Sequence, residues 1–175
     1  MESPEERIVC LKRIADCLLY EEGLLESKKK GLTPVWNTII ELCQRNQDSI
    51  PRSSFYLRFV FADKARLHLG FSKNGFDRCP SSILDLEEAE RCIQRLEEPD
   101  LKTDSEDTYT DAFRLICKSK IAFDKSKVAD VKGEVKTREK EALLLYEKAA
   151  AVCKSAQNNG ILFMLLSLKE YLQSD

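Results

Sequence analysis

The apolar residues of this chain recur with the period of an α-helix along most of its length. Spacings of three and four residues place side chains on one side of a helix with 3.6 residues per turn. The clearest segment is 141–153, where large and small residues alternate on one face, an arrangement that favours close packing against a second helix. The residues of that face are Ala142, Leu145, Tyr146, Ala149, Val152 and Cys153.

Capping residues and prolines divide the first hundred residues into four predicted helices. Ser3 followed by Pro4 and Glu6 has the pattern of a capping box, so the first helix should begin there. It should end at the lysines before Gly31, since basic residues and glycine are common at helix ends. Comparable signals begin the next three helices at Thr33-Pro34, at Pro51 and at Ser81 or Ser82, and Pro99 ends the fourth.

The second half of the chain predicts three more helices separated by charged segments. An acidic connector spans 97–111 and leads into a fifth helix, and a basic, solvated loop is expected at 124–140. The sixth helix contains 141–153, and a seventh is predicted at 161–172. No alternating pattern persists long enough to predict a β-strand. The sequence thus predicts an all-α protein of six or seven helices.

The predicted helices fall into pairs at about 3–49, 51–99 and 103–157, with the helix at 161–172 left over. The second helices share an apolar face that starts at Ile39, Ala89 and Ala142, and these residues are 50 and 53 positions apart. Units of this size are typical of stacked helical hairpins, each too small to bury its own apolar face. We therefore expect residues 1–175 to form a single helical-repeat domain.

The most regular of these faces resembles a known repeat. Ala142-x3-Tyr146-x2-Ala149 is similar to the second helix of a tetratricopeptide repeat, and Ala89-x3-Ile93-x2-Leu96 matches it loosely. The family's unit is about 34 residues long, so the units here are longer than usual. The resemblance implies antiparallel hairpins stacked as a short solenoid, or an irregular bundle, with a concave groove that binds a peptide or helix of a partner protein.

Composition and charge narrow the classes of function. The formal net charge is −2, which gives no global attraction to nucleic acid or to an acidic membrane. The seven cysteines include no C-x-x-C pair, and the first ten residues carry three glutamates instead of a basic and apolar leader. The longest apolar run is far shorter than a membrane span. We expect a protein of the cytoplasm or nucleus with reduced cysteines.

No motif for catalysis or cofactor binding is present. The chain has one histidine, His68, and lacks the glycine-rich loops that cradle phosphate and the nucleophile motif Gly-x-Ser-x-Gly. The cysteine spacings do not suit zinc, and the acidic connector lacks the calcium-binding loop pattern. We therefore expect no enzyme activity, no metal or cofactor site and no small-molecule substrate.

The function favoured by these patterns is that of a non-enzymatic adaptor or scaffold for protein partners. The helix at 161–172 has apolar residues on two sides, so the second side is either wrapped by a neighbouring helix or exposed for a partner or for self-association. The expected partner-binding residues are Trp36, Leu162, Phe163 and Leu166. For Trp36, a buried position in the core is the alternative to a role in partner binding.

Two alternatives use other features of the chain. The first is binding of RNA or an acidic partner through a basic patch, and the second is a structural subunit of an enzyme complex. Interspersed acidic residues and sparse aromatic residues make nucleic acid the less favoured partner. The basic patch would consist of Lys118, Lys120, Lys125, Lys127, Lys132 and Lys136.

Overall fold

The computed structural model describes residues 3–101, 108–155 and 158–174, and most of these are helical. Within those ranges there are seven helices and one short β-hairpin, which confirms the predicted all-α class. The helices are α1 (Pro4–Tyr20), α2 (Leu25–Arg45), α3 (Ser53–His68), α4 (Ile83–Glu97), α5 (Thr108–Val128), α6 (Lys132–Cys153) and α7 (Asn159–Gln173). The strands are β1 (Phe71–Ser72) and β2 (Gly75–Phe76).

Several helix starts lie where capping residues predict them. Ser3 caps α1 in a complete capping box, in which its side chain accepts from the Glu6 amide and the Glu6 carboxylate accepts from the Ser3 amide. Ser82 caps α4 by accepting from the Asp85 amide. Asn158, for which no cap was predicted, caps α7 in the same way. These side chains satisfy amide groups that have no partner inside the helix.

The predicted boundary between the first two helices is wrong. Helix α1 ends at Tyr20 and α2 already begins at Leu25, so Gly31 and Pro34 lie inside α2. A proline in a helix interior removes one backbone hydrogen bond. Burial of Leu32 and Trp36 on the side of α2 that faces the core holds the helix together across this position.

Two further expectations need correction. The basic segment at 124–140 is mostly helical, because α5 continues to Val128 and α6 begins at Lys132. A β-hairpin is present where none was predicted, with Phe71 paired to Phe76, a turn at Lys73 and Asn74, and Gly75 at a φ of +93°. Residues 102–107 of the acidic connector lie outside the described residues.

The helices pack mainly against their neighbours in the chain. The most extensive contacts join α1 with α2, α3 with α4, and α5 with α6, and α7 lies against α5, α6 and β2. Ile39, Ala89 and Ala142 are each almost completely buried. Two apolar clusters result: an amino-terminal core formed mainly by α1, α2 and α3, and a carboxy-terminal core formed by the end of α3, the hairpin and α4 to α7.

We predict that Gly75→Ala destabilises the fold, whereas Gly133→Ala does not. A Cβ atom at residue 75 would lie 3.0 Å from the Cβ of Ser167 and closer still to its hydroxyl oxygen, which accepts a hydrogen bond from the Phe76 amide. With the added strain of positive φ, the free energy of unfolding should fall by about 1–3 kcal/mol. Urea denaturation measures this.

The control position, Gly133, lies in α6 with no atom within 4 Å of the added methyl group. Its replacement by alanine should leave stability unchanged or raise it by up to about 1 kcal/mol. Equal effects of the two substitutions would contradict the close packing of the hairpin against α7.

Candidate functional site

Helix α3 divides its surface among three environments. Tyr56, Val60 and Leu67 point into the amino-terminal core, and Ala65 points into the carboxy-terminal core. The remaining side carries residues at positions 0, 4, 7 and 11 of a helical face, which places them in one row. The residues of this row are Phe55, Phe59, Ala62 and Arg66.

This row forms one wall of a cleft of about 160 Å³, which we call the aromatic cleft. Helices α3 and α5 each pack on α4 with few direct contacts between them, so the cleft lies between α3 and α5 with α4 beneath it. The residues that line it are Phe55, Arg58, Phe59, Ala62, Arg66, Leu96, Tyr109, Thr110 and Phe113.

Two phenylalanines stand at the mouth of the cleft with much of their surface in solvent. Phe55 is 42% exposed and Phe59 37% exposed, and their ring centroids are 4.7 Å apart in an edge-to-face arrangement. Aromatic pairs favour this geometry. Phe113, by contrast, is buried at the floor. The cleft therefore presents apolar surface from its mouth to its floor.

A buried guanidinium group crosses the floor of the cleft. Arg66 donates to the Asp63 carboxylate at 2.9 Å and to the Tyr109 hydroxyl group, and its charge lies 4.6 Å from the centre of the Phe113 ring. Arg66 thereby joins α3 to α5 through side chains alone. These contacts fix the guanidinium before any ligand arrives.

Burial changes the proton affinity of Asp63. Loss of hydration raises the pKa of this carboxyl group to about 6, although the adjacent Arg66 favours the ionised form. On the facing helix α1, Asp16 raises this pKa and Lys12 lowers it. Asp63 is thus the group near the cleft whose charge changes in mildly acidic solution.

The apolar surface continues past Phe59 towards α1. The Lys12 ammonium group lies 4.4 Å from the centre of the Phe59 ring, and a narrower hollow beside it is lined by residues of α1, α2 and α3. The surface therefore follows α1, α3 and α5, the first helix of each predicted pair.

The residues predicted to bind a partner lie apart from this cleft. Trp36 is only 2% exposed and belongs to the amino-terminal core, so it cannot serve as a surface anchor. On α7, Leu162, Phe163 and Leu166 are exposed as the helical pattern allows, although the Phe163 ring lies 5.9 Å from that of Phe71. No helix wraps this side of α7 among the described residues.

The predicted basic patch is broken up by burial and ion pairing. Lys120 must be removed from it, because its side chain is completely buried and its ammonium group contacts Asp124 at 2.5 Å. Asp124 also accepts hydrogen bonds from the Tyr171 hydroxyl group and the Ser81 amide. This network joins α5 to α7 and to the segment before α4.

Other lysines of the patch have partners as well. Lys118 and Lys125 reach across to Glu97 and Glu90 of α4, and Lys127 lies 4.5 Å from the centre of the Phe123 ring. Lys132 and Lys136 are exposed on α6. The six lysines therefore do not form one surface.

His68 takes part in a charged cluster at the junction of three helices. Its Nδ1 atom lies 2.6 Å from the Asp85 carboxylate of α4, which also binds the Lys29 ammonium group of α2 at 2.7 Å. The Ser82 hydroxyl group donates to the other oxygen of Asp85. The cluster ties α2, α3 and α4 together.

Among residues 3–101, 108–155 and 158–174, no group of three or more potential ligands could hold a metal ion. In the same ranges, no helix has the length and apolar character needed to cross a membrane.

No protein family, curated protein or solved structure matches this chain. The resemblance to tetratricopeptide repeats therefore stays a prediction. The candidate site is identified from the geometry of the structure alone.

Sequence reasoning missed most of the cleft. The apolar face of α3 was visible, but Arg66 and Tyr109 give no local sign of meeting, since they are 43 positions apart. The available sign was the row of Phe55, Phe59, Ala62 and Arg66, in which large aromatic residues share a helical face with a charge.

We predict that Lys120→Met destabilises the protein and that Lys136→Met does not. Removing the buried cation leaves the Asp124 carboxylate without its counter-charge, which should lower the free energy of unfolding by about 3–5 kcal/mol. Lys136 is exposed, so its replacement should change stability by less than about 0.5 kcal/mol. Denaturant titration of both variants tests this, and similar small effects would contradict the burial of Lys120.

We also predict a pH-dependent contribution of Asp63 to stability. Because its pKa rises from 3.8 to about 6 on folding, the folded state holds this proton more tightly between about pH 4 and 6. The stability of wild type relative to Asp63→Asn should therefore fall by up to about 3 kcal/mol as the pH rises through that range. Urea denaturation at several pH values measures the difference.

The control for the acid-to-amide exchange is Asp48→Asn at an exposed position, which should change stability by less than about 0.5 kcal/mol. A relative stability that rises with pH in the Asp63 comparison would mean that the ion pair with Arg66 outweighs the loss of hydration.

Proposed function

We propose that this protein is a non-enzymatic adaptor that binds an apolar segment of a partner protein in the aromatic cleft. The observation that carries the proposal is the exposure of Phe55 and Phe59 above an open apolar cleft with a buried aromatic floor. Exposed aromatic residues around a concave surface are characteristic of sites where a partner's side chain is anchored.

The size of the cleft suits one side chain as the anchor. An apolar cavity of about 150 Å³ can hold a benzene molecule, and the cleft measures about 160 Å³. Burying one large apolar side chain contributes about 1.5–3 kcal/mol, whereas micromolar affinity requires about 8 kcal/mol. The remainder would come from contacts of flanking residues along α1 and α5. An amphipathic helix or an extended peptide meets this requirement.

The exposed apolar side chains of α7 support self-association less well than the cleft supports peptide binding. A stable interface buries about 800 Å² on each partner, and Leu162, Phe163 and Leu166 are three partly covered side chains. The basic patch is a weaker candidate because Lys120 is buried and Lys118 and Lys125 are paired with glutamates of α4. No observation favours a structural subunit of an enzyme complex. The cleft is therefore the site on which we base the function.

We predict that peptides selected for binding to the whole protein depend on the cleft. Binders from a displayed library of random peptides would be remade with a fluorescent label and titrated by anisotropy. Phe59→Ser should weaken binding at least about tenfold, because it removes one side of the apolar mouth. Ala62→Met should do the same by filling the cleft while leaving the phenylalanines in place.

The control variant is Leu84→Ser, which removes a 78% exposed leucine from α4 outside the cleft and should not change affinity. Urea denaturation of each variant separates lost binding from lost folding. The proposal would be refuted if the selected peptides bind both cleft variants as tightly as wild type, or if the selection yields no binding peptide.

A further inference from the structure

The aromatic cleft is positively charged in a chain whose net charge is negative. Its nine lining residues include two guanidinium groups, from Arg58 and Arg66, and no carboxylate among the described residues. Asp63, which follows Ala62 in α3, pairs with Arg66 and lines the hollow beside α1 instead of the cleft. A purely apolar ligand would form no ion pair with these guanidinium groups.

The two arginines differ in what they offer a ligand. Arg66 is buried and already bonded to Asp63 and Tyr109, so it serves as a fixed part of the floor. Arg58 is only half-buried, and its one hydrogen bond to the residues that the structure describes is a long one of 3.4 Å to the Leu101 carbonyl oxygen. It forms no ion pair with any residue that the structure describes. Its planar guanidinium group can therefore bind a carboxylate through two parallel hydrogen bonds.

We propose that the aromatic cleft recognises an internal segment of a partner in which an acidic side chain lies close to an apolar anchor, the carboxylate binding Arg58 while the anchor enters between Phe59 and Phe113. This inference rests on the proposed function, because it names the chemistry of the segment that the adaptor binds.

The spacing within α3 sets the spacing within the ligand. Arg58 and Ala62 are four residues apart, which is about 6 Å along the helix axis. Neighbouring residues of an extended peptide advance about 3.3 Å, so the acidic residue would lie one or two positions from the anchor. In a bound helix the same separation corresponds to positions three or four apart.

The surface on both sides of Phe59 favours an internal segment over a chain terminus. The cleft lies on the α5 side of this ring and Lys12 of α1 on the other, and the open mouth beside Phe55 and Phe59 lets a bound chain continue past the anchor in both directions. We therefore assign the carboxylate to an aspartate or glutamate side chain.

A peptide is also favoured over single-stranded nucleic acid. Aromatic rings beside arginines can stack bases, but such sites follow a positively charged track along the backbone. Beyond Phe59, the next cation is Lys12, and its charge is paired with Asp16. The cleft offers one isolated positive site.

The test uses the full chain and short peptides with acetylated and amidated ends. Each peptide carries a central leucine or phenylalanine with glutamate at one nearby position, and a twin peptide carries glutamine there. The glutamate peptide should bind about tenfold more tightly at low salt, and the ratio should shrink as salt is added. Arg58→Gln should abolish this preference while leaving binding of the glutamine twin unchanged.

The matched control is Arg91→Gln, which removes an exposed arginine on α4 and should preserve the preference. If the glutamate and glutamine peptides bind equally and Phe59→Ser still weakens both, the recognition of an acidic side chain is overturned and the proposed function stands. Binding independent of Phe59 would refute both. If Arg58→Gln weakens both twins equally, Arg58 has a packing role and the inference fails.

Two further experiments distinguish a side-chain carboxylate from a chain terminus and from a nucleic-acid phosphate. A requirement for a free carboxyl terminus in place of the side-chain acid would overturn the internal segment. Displacement of the bound peptide by a single-stranded RNA oligonucleotide at equal concentration would point to nucleic acid and overturn the assignment of a protein partner.

Discussion

The fold depends on helix α3, which must bury apolar side chains in two separate cores. A single apolar stripe suffices for a helix on the surface of one core, but α3 uses one side for α1 and α2 and another for the carboxy-terminal core. Its third side touches the carboxy-terminal core at Ala62 and leaves Phe55 and Phe59 partly in solvent. Because α3 and α5 both lie on α4, that side faces a gap between helices, and the aromatic cleft is this gap.

Buried charges hold the helices that border this gap. Arg66 joins α3 to α5 through Tyr109 and Phe113, while Lys120 and Asp124 join α5 to α7 through Tyr171. Removing charges from water costs several kcal/mol per ion, so these groups are retained only with close partners. Unlike apolar contacts, such pairs tolerate little displacement of one helix against the other. They therefore define the positions of α5 and α7 relative to the rest of the chain.

The sequence predicts the local structure well and the long-range contacts poorly. Ser3 and Ser82 act within three residues of their own position, and the shared face at Ile39, Ala89 and Ala142 follows from periodicity alone. The polar appearance of 124–140 concealed the end of α5 and the start of α6, because the buried Asp124 looks like a surface residue and the first turns of α6 are largely exposed. The floor of the cleft was beyond prediction, since it joins residues far apart in the chain.

The exposed phenylalanines and the buried arginine together make the cleft suited to binding. A side chain that must be ordered when a ligand binds costs about 0.5–1.5 kcal/mol of the affinity. Arg66 is already held by Asp63, Tyr109 and Phe113, and Phe55 packs edge-to-face against Phe59, so the cleft wall loses little freedom on binding. This preorganisation supports the proposed site between α3 and α5.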